Sequence, residues 1–293
     1  MSNVLEGPRQ EWRRVLYQGQ EQWVKPNDIN GLLLPDGREI SDEEVDYLPP
    51  CNPTKIICVH LNYDSRRLEF NMSELVTPTY FHKPTTALNS HRGTILRPEG
   101  CKYLNYEGEL AVVIGKPMRN IPPEETWGYI AGFSPANDVG LHDFRDTDAG
   151  SMLRVKGMDG FCPIGPGIVS GVNVIESVLR TYLDGEVVQE AFISEMVFGI
   201  DYLLADLCRY ITLLPGDVVL TGTPAHSRPM EPGSVVEVEI TGIGRLVNTV
   251  GSAPKASTEI GHQPMDSKQA RAVSLGSDYI REKEKERRSD PQA

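Results

Sequence analysis

Short runs of apolar and β-branched residues, cut by Gly and Pro, recur from about residue 55 to residue 250 and set the expected architecture. Lys55 to Val59 is the first run that reads as a buried strand, followed by Thr79 to His82, Glu109 to Ile114, Asp217 to Thr221 and Val235 to Ile240. Asp184-Gly185, set between Tyr182-Leu183 and Glu186-Val187, carries the signal for a tight hairpin. Helical spacing is sparse. Pro123 to Ala131 starts with proline and acids, and Phe198 to Leu213 places Ile200, Leu203, Leu204, Leu207 and Ile211 on one face. Ahead of this region, residues 1–50 mix strand-like pieces (Trp12 to Tyr17, Trp23 to Lys25) with an acidic run from Asp42 to Asp46, and Pro49-Pro50 and Pro53 close the segment. Beyond Val250 the chain turns polar and ends in a charge run from Arg281 to Arg288, which predicts a solvated helix, a disordered tail or a partner-binding arm. The pattern predicts a β-rich α+β fold with peripheral helices. Its expected parts are a small N-terminal domain (1–50), a main domain (51–252) and a polar C-terminal tail (253–293).

Composition narrows the setting. The 293 residues, 39% of them hydrophobic, suffice for one large core or two unequal domains. No apolar run reaches transmembrane length, and Met1 to Glu11 lacks a signal-peptide core. The five cysteines are scattered, odd in number and without a C-x-x-C pair, so small buried hydrophobes in a reducing cytoplasm are expected. A formal charge of −12 argues against nucleic acid or an anionic membrane as the main partner. An anionic small molecule is still compatible, because a local cation can invert the field within a site.

Glu107 and Glu109 change the picture. They open the strand-like run Glu109 to Ile114, and alternation puts Glu107, Glu109, Ala111 and Val113 on one face and Gly108, Leu110, Val112 and Ile114 on the other. At roughly 3.3 Å per residue, the two acids lie about 6–7 Å apart at Cα, close enough for both to reach one hard cation. The alternative is a strand end at the rim with both acids in water. Burying them together requires positive charge nearby. Asp138, after Gly132 to Asn137, is either a third carboxylate completing an all-oxygen site of the kind Mg²⁺ or Mn²⁺ prefers, or part of a turn before Gly140.

From about Lys55 to Val250 the chain resembles the fumarylacetoacetate hydrolase family. The resemblance runs in order through Lys55-Ile56-Ile57-Cys58-Val59-His60-Leu61-Asn62-Tyr63, Tyr106-Glu107-Gly108-Glu109-Leu110, Asn137-Asp138 and the Arg154 to Pro166 segment with Lys156. It closes on Leu214-Pro215-Gly216-Asp217 and Thr221-Gly222-Thr223-Pro224. It implies a mixed β-roll with a small N-terminal domain, a homodimer, and Mg²⁺ or Mn²⁺ on Glu107, Glu109 and Asp138. It also implies a small anionic 2-oxo acid substrate chelated at the metal, with Lys156 adding positive charge beside an enolate or helping to move a proton. Thr223 either offers donors to a substrate carboxylate or belongs to an ordinary turn.

Two departures from the family pattern bear on the reaction. Hydrolytic members carry a histidine and a glutamate after Asn-Tyr to activate water. Here the segment reads Asn62-Tyr63-Asp64-Ser65-Arg66-Arg67-Leu68-Glu69-Phe70, with no histidine and only Glu69 at the acid position. Four residues past Asp138, where many members have arginine, stands His142, either a substrate contact, an acid/base group or a merely hydrogen-bonded side chain; Arg145 is the candidate for the displaced positive charge. Arg66 and Arg67 either bind a distal carboxylate or belong to a solvated loop, the simpler account, and His60 and His82 are expected to be structural. The Arg154 to Pro163 stretch is most similar to the branch handling ring-cleavage products of homoprotocatechuate. The resemblance therefore implies decarboxylation of 5-oxopent-3-ene-1,2,5-tricarboxylate or isomerisation of 2-hydroxyhepta-2,4-diene-1,7-dioate, with His142 or Glu69 moving the proton. The rivals are an acylpyruvate hydrolase of the fumarylpyruvate type and a non-catalytic metabolite-binding protein.

Overall fold

The computed structural model describes residues 4–27, 31–148, 150–254 and 260–289. It is built on two mixed sheets. In the larger one, the strands Gly167–Ser170, Ile130–Asn137, Gly108–Ile114, Val218–Leu220, Ile56–Val59 and Tyr80–Lys83 lie side by side in that order. Neighbours are antiparallel except for Val218–Leu220 beside Ile56–Val59, and the path is open rather than closed into a barrel. The smaller sheet orders Glu186–Phe192, Val178–Leu183, Val235–Ile240, Gly244–Ala253 and Thr94–Pro98, and Asp184-Gly185 makes the expected hairpin between its first two strands.

The strand Gly108–Ile114 is buried along its whole length. Leu110, Val112 and Ile114 enter a core shared with Phe133 and the helix Ile200–Cys208. Ala111 and Val113 enter a second core with Cys58, Cys162, Val218 and Leu220. The two faces deduced from alternation are thus both apolar, and the face that carries the glutamates faces protein, not solvent.

The N-terminal strands Gln10–Tyr17, Gln20–Pro26, Gly31–Leu33, Glu39–Ser41 and Val45–Tyr47 enclose a small core of their own around Val15, Val24, Leu32 and Ile40. They join the large sheet where Gln10–Tyr17 pairs with Gly167–Ser170. All five cysteines are free and buried, as expected. Among the described residues, no helix is long and apolar enough to cross a membrane.

Two expected helices are shorter than their sequence pattern. The segment starting at Pro123 is a 3₁₀ helix only to Tyr129, and the chain is already a strand at Ile130. The amides of Gly115 and Lys116 both donate to the Tyr129 carbonyl, which pulls the chain into sheet pairing. The helix expected over Phe198 to Leu213 covers Ile200–Cys208 and stops short of Leu213, because Leu213 exchanges two backbone hydrogen bonds with Met118. The stretch after Asn62-Tyr63 forms a short helix, Asp64–Glu69. The polar tail folds into a helix, Lys268–Ser289, interrupted at Gly276 (φ 62°). Its first half packs against the body of the protein, with Ala270 and Ser274 fully buried, and so is not a solvated arm. Most side chains of the Arg281 to Arg288 charge run lie outside the described residues.

Candidate metal centre and cavity

Glu107 and Glu109 flank Gly108 at the start of one central strand, and Asp138 directly follows the neighbouring strand, where Gly108 stands opposite Asn137. Two hydrogen bonds pin these strand ends together. The Asp138 amide donates to the Glu107 carbonyl at 2.8 Å, and the Glu107 amide donates to Asn137 Oδ1 at 2.8 Å. As a result, one carboxylate oxygen from each of Glu107, Glu109 and Asp138 lies within 4.8 Å of the other two.

All three acids are buried, Glu109 to 1% exposure. Lys156, at the end of the helix Leu153–Lys156, is 2% exposed and places Nζ 2.7 Å from Glu107 Oε2 and 3.0 Å from Asp138 Oδ2. Burial opposes its charge, but Asp138 and Glu107 outweigh burial and hold the ammonium above its usual range. Arg66 approaches the other Glu107 oxygen at 3.5 Å. For Glu107, burial alone would favour the neutral acid; Lys156 and Arg66 reverse this and keep it ionised.

Glu109 is the exception. Among the described residues its carboxylate accepts one hydrogen bond, from the Gly222 amide at 2.7 Å, and burial followed by the charges of Asp138 and Glu107 pushes its carboxyl well above the ordinary range. Gly222 adopts φ +100°, and a Cβ there would come 2.7 Å from the Asn62 Cβ, so a glycine is required for this amide to reach the carboxylate. A buried carboxyl flanked by two like charges is a position that a cation would relieve. Three converging oxygen donors suit a hard divalent ion, so the residues present fit such a metal.

A cavity of about 410 Å³ opens over the triad, with Lys156, His142, Arg145, Arg66 and Thr223 also in its wall. His142 is 1% exposed, and neither ring nitrogen has a hydrogen-bond partner. Burial first, then the positive charges of Lys156 and Arg145, drive its pKa well below the usual imidazole range, so the ring is neutral. Among the described residues the Arg145 guanidinium donates to the Met152 thioether alone, and burial lowers its pKa. Thr223 Oγ1 accepts a hydrogen bond from Gln189 Nε2 at 3.0 Å.

Glu69 does not reach the cavity. It stands behind Arg66, gripped by Arg66 Nη1 at 2.6 Å and Arg228 Nη1 at 2.7 Å. Against the opposing effect of burial, these two arginines hold its carboxyl below the usual range. Arg67 turns away to pair with Asp64, and His82 is exposed. His60 does line the cavity, with Nε2 unpaired.

Lys83 escaped the sequence reading. It is fully buried, and its Nζ sits 2.5 Å from Asp138 Oδ1 and 3.2 Å from the Val139 carbonyl. The available signal was alternation: Phe81 and Lys83 share the inward face of the strand Tyr80–Lys83, while His82 between them faces out. Val273 was missed too. It brings the C-terminal helix into the cavity wall.

Residues 55–251 match the family described as fumarylacetoacetate (FAA) hydrolase C-terminal. A 4-hydroxyphenylacetate degradation bifunctional isomerase/decarboxylase of Salmonella dublin is 37% identical over 67% of this chain, which spans 46% of that relative. The crystal structure of a 5-carboxymethyl-2-hydroxymuconate delta-isomerase from Mycobacterium smegmatis superposes with a TM-score of 0.77 at 33% identity, covering 84% of this chain and all of the other. A fumarylpyruvate hydrolase from Pseudomonas aeruginosa, solved with Mn²⁺ and pyruvate, gives a TM-score of 0.63 at 26% identity over 69% of this chain and 91% of the other.

Proposed function

The chain belongs to the fumarylacetoacetate hydrolase family, and from that membership we propose that it isomerises or decarboxylates an enolisable 2-oxo acid bearing a further carboxylate, using Mg²⁺ or Mn²⁺. Glu107, Glu109 and Asp138 would hold the ion. When bound, the ion supplies Lewis-acid charge to the carboxylate and adjacent oxygen of a 2-oxo acid.

The protein's own charges support an anionic substrate. Lys83, Lys156 and Arg66 balance the three carboxylates, so a divalent ion leaves the site positive. Arg145, paired with no carboxylate among the described residues, adds a further cation for a distal carboxylate. Lys156, held charged at the metal-ligand cluster, favours the negative charge that develops on the substrate oxygen as an enolate forms.

The single observation that carries the reading is His142. A buried, neutral imidazole with two unpaired nitrogens, in the wall of the same cavity, can take a proton from the carbon beside the carbonyl and return it elsewhere on the chain of carbons. Loss of CO₂ would lead to the same enolate, with the final proton reaching carbon by way of the imidazole. Activation of water by Glu69 is disfavoured, since both of its oxygens are held by arginines and the group lies outside the cavity.

The test is turnover of 2-oxo diacids by the Mg²⁺-loaded protein in H₂¹⁸O and, separately, in D₂O. Deuterium is expected at carbon, with no ¹⁸O in any released acid beyond carbonyl exchange. Incorporation of ¹⁸O into a newly formed carboxylate would instead make the protein a C–C hydrolase.

A further inference from the structure

Among the described residues, every one in the cavity wall falls within the family-matched span 55–251 except Val273, which comes from the C-terminal helix. We infer that Val273 is a specificity-determining residue, setting the length of substrate tail that the cavity accepts. The inference rests on the proposed reading of the cavity as a 2-oxo acid site.

The helix is held across the cavity at both sides. On one side the Met265 amide donates to the carbonyl of Asp143, next to His142, at 3.0 Å, and Asp266 accepts from the Tyr103 hydroxyl at 2.6 Å. In the middle, Ser274 and Asn105 form a reciprocal, fully buried pair: Ser274 Oγ donates to Asn105 Oδ1 at 2.6 Å, and Asn105 Nδ2 donates to the Ser274 carbonyl at 2.9 Å. Asn105 belongs to the strand Leu104–Asn105, whose partner Gly140–Leu141 leads straight into His142. On the far side, Gly276 lies against the Glu69–Arg228 ion pair so closely that a Cβ would stand 2.4 Å from Glu69 Oε1. Glu69 in turn grips Arg66.

Such an anchored segment presents a fixed wall, not a loose flap. Buried polar groups such as Asn105 would lose their partners if the helix lifted, which holds it down. All 2-oxo acids share one chelating end, so they differ to the site mainly in the tail. An apolar side chain in a wall that also includes Leu61, Phe70 and Met72 discriminates tails by the space it leaves.

The experiment is calorimetric binding of oxalate, 2-oxoglutarate and 2-oxoadipate to the full-length, Mg²⁺-loaded wild type, Val273→Phe and Val273→Ala. Relative to oxalate, Val273→Phe is expected to weaken 2-oxoadipate about tenfold, as loss of pocket space does. Val273→Ala is expected to strengthen it severalfold. Gly276→Val, which drives a side chain into the Glu69–Arg228 pair and lifts the helix, is expected to blur the length preference while oxalate still binds. If oxalate binds all forms and the ratios for both Val273 variants stay within twofold of wild type, the inference is overturned while the reading of the site stands. Failure of oxalate to bind the wild type overturns that reading, and this inference with it.

Discussion

Lys83 and Glu109 occupy opposite electrostatic situations a few ångströms from the same aspartate. Lys83 gives Asp138 a buried counter-charge, so removing it leaves Asp138 to share Lys156 with Glu107 and the buried cluster one positive charge short. Lys83→Met is therefore expected to lower stability by about 3–5 kcal/mol in the presence of chelator, measured by urea denaturation, with part of the loss recovered on adding Mg²⁺. Glu109 has no lysine of its own. Glu109→Gln keeps the shape and the acceptor for the Gly222 amide and is neutral without holding a proton. The variant is expected to melt no lower than wild type in chelator, yet to lose most of the rise in melting temperature that Mg²⁺ or Mn²⁺ gives the wild type. A variant still stabilised by the metal to the wild-type extent would remove Glu109 from the ligand set. The glutamates were legible because two acids at i and i+2 on an apolar strand are an anomaly that needs an explanation. Lys83 was not, because a lysine at a strand end before proline has an ordinary solvated interpretation and its partner is 55 residues away.

At the level of elements, strands were easier to place than helices, and the reason is local. Alternation alone put Leu110, Val112 and Ile114 on one face and Ala111 and Val113 on the other, and the fold packs each face into a core of its own. The helices were cut short by contacts no local pattern contains: Leu213 bonded to Met118, and Gly115 and Lys116 bonded to Tyr129. The Asn137-Asp138 pair shows how such non-local bonds build the site. Read locally it is a turn; in the fold, Asn137 holds the Glu107 amide and so fixes two ligand-bearing strand ends relative to one another. Asn137→Ala leaves that buried amide without its acceptor, at a cost of about 1–3 kcal/mol. Because it loosens the spacing of the ligands, it is also expected to weaken Mg²⁺ binding by roughly 10–100-fold, the usual effect of losing a supporting hydrogen bond at a metal site. Calorimetric titration with Mg²⁺ checks this, and unchanged affinity would mean that the strand pairing alone sets the spacing.

Across the whole molecule, the docking of the C-terminal helix was the least legible feature, since a polar, charged sequence gives no hint that Ala270 and Ser274 are buried. The balance of titrating groups is also a property of the entire fold, and it gives stability a pH dependence that the metal should alter. His60, His91 and His142 are all shifted below the ordinary imidazole value, mainly by burial, His91 to about 4. The unfolded chain takes up protons on these side chains below about pH 6.5 while the fold refuses them, so stability falls as pH falls through that window. Each contributes about 1.4 kcal/mol per pH unit until its folded pKa is passed, for His91 near 4. Glu109 runs the other way. Its folded carboxyl is raised, so the protein without a divalent ion keeps a proton that the unfolded chain releases above about pH 4.3, and stability is lost as pH rises toward the folded value. A divalent ion at the triad favours the ionised form and removes that loss. The stabilisation given by Mg²⁺, read as the shift in urea midpoint between Mg²⁺ and chelator from pH 4.5 to 8, is therefore expected to grow with pH, while the fall on the acid side persists in both. A Mg²⁺ effect independent of pH would show that Glu109 is already ionised without the metal, and that the other charges around it, not the ion, carry the cost of its burial.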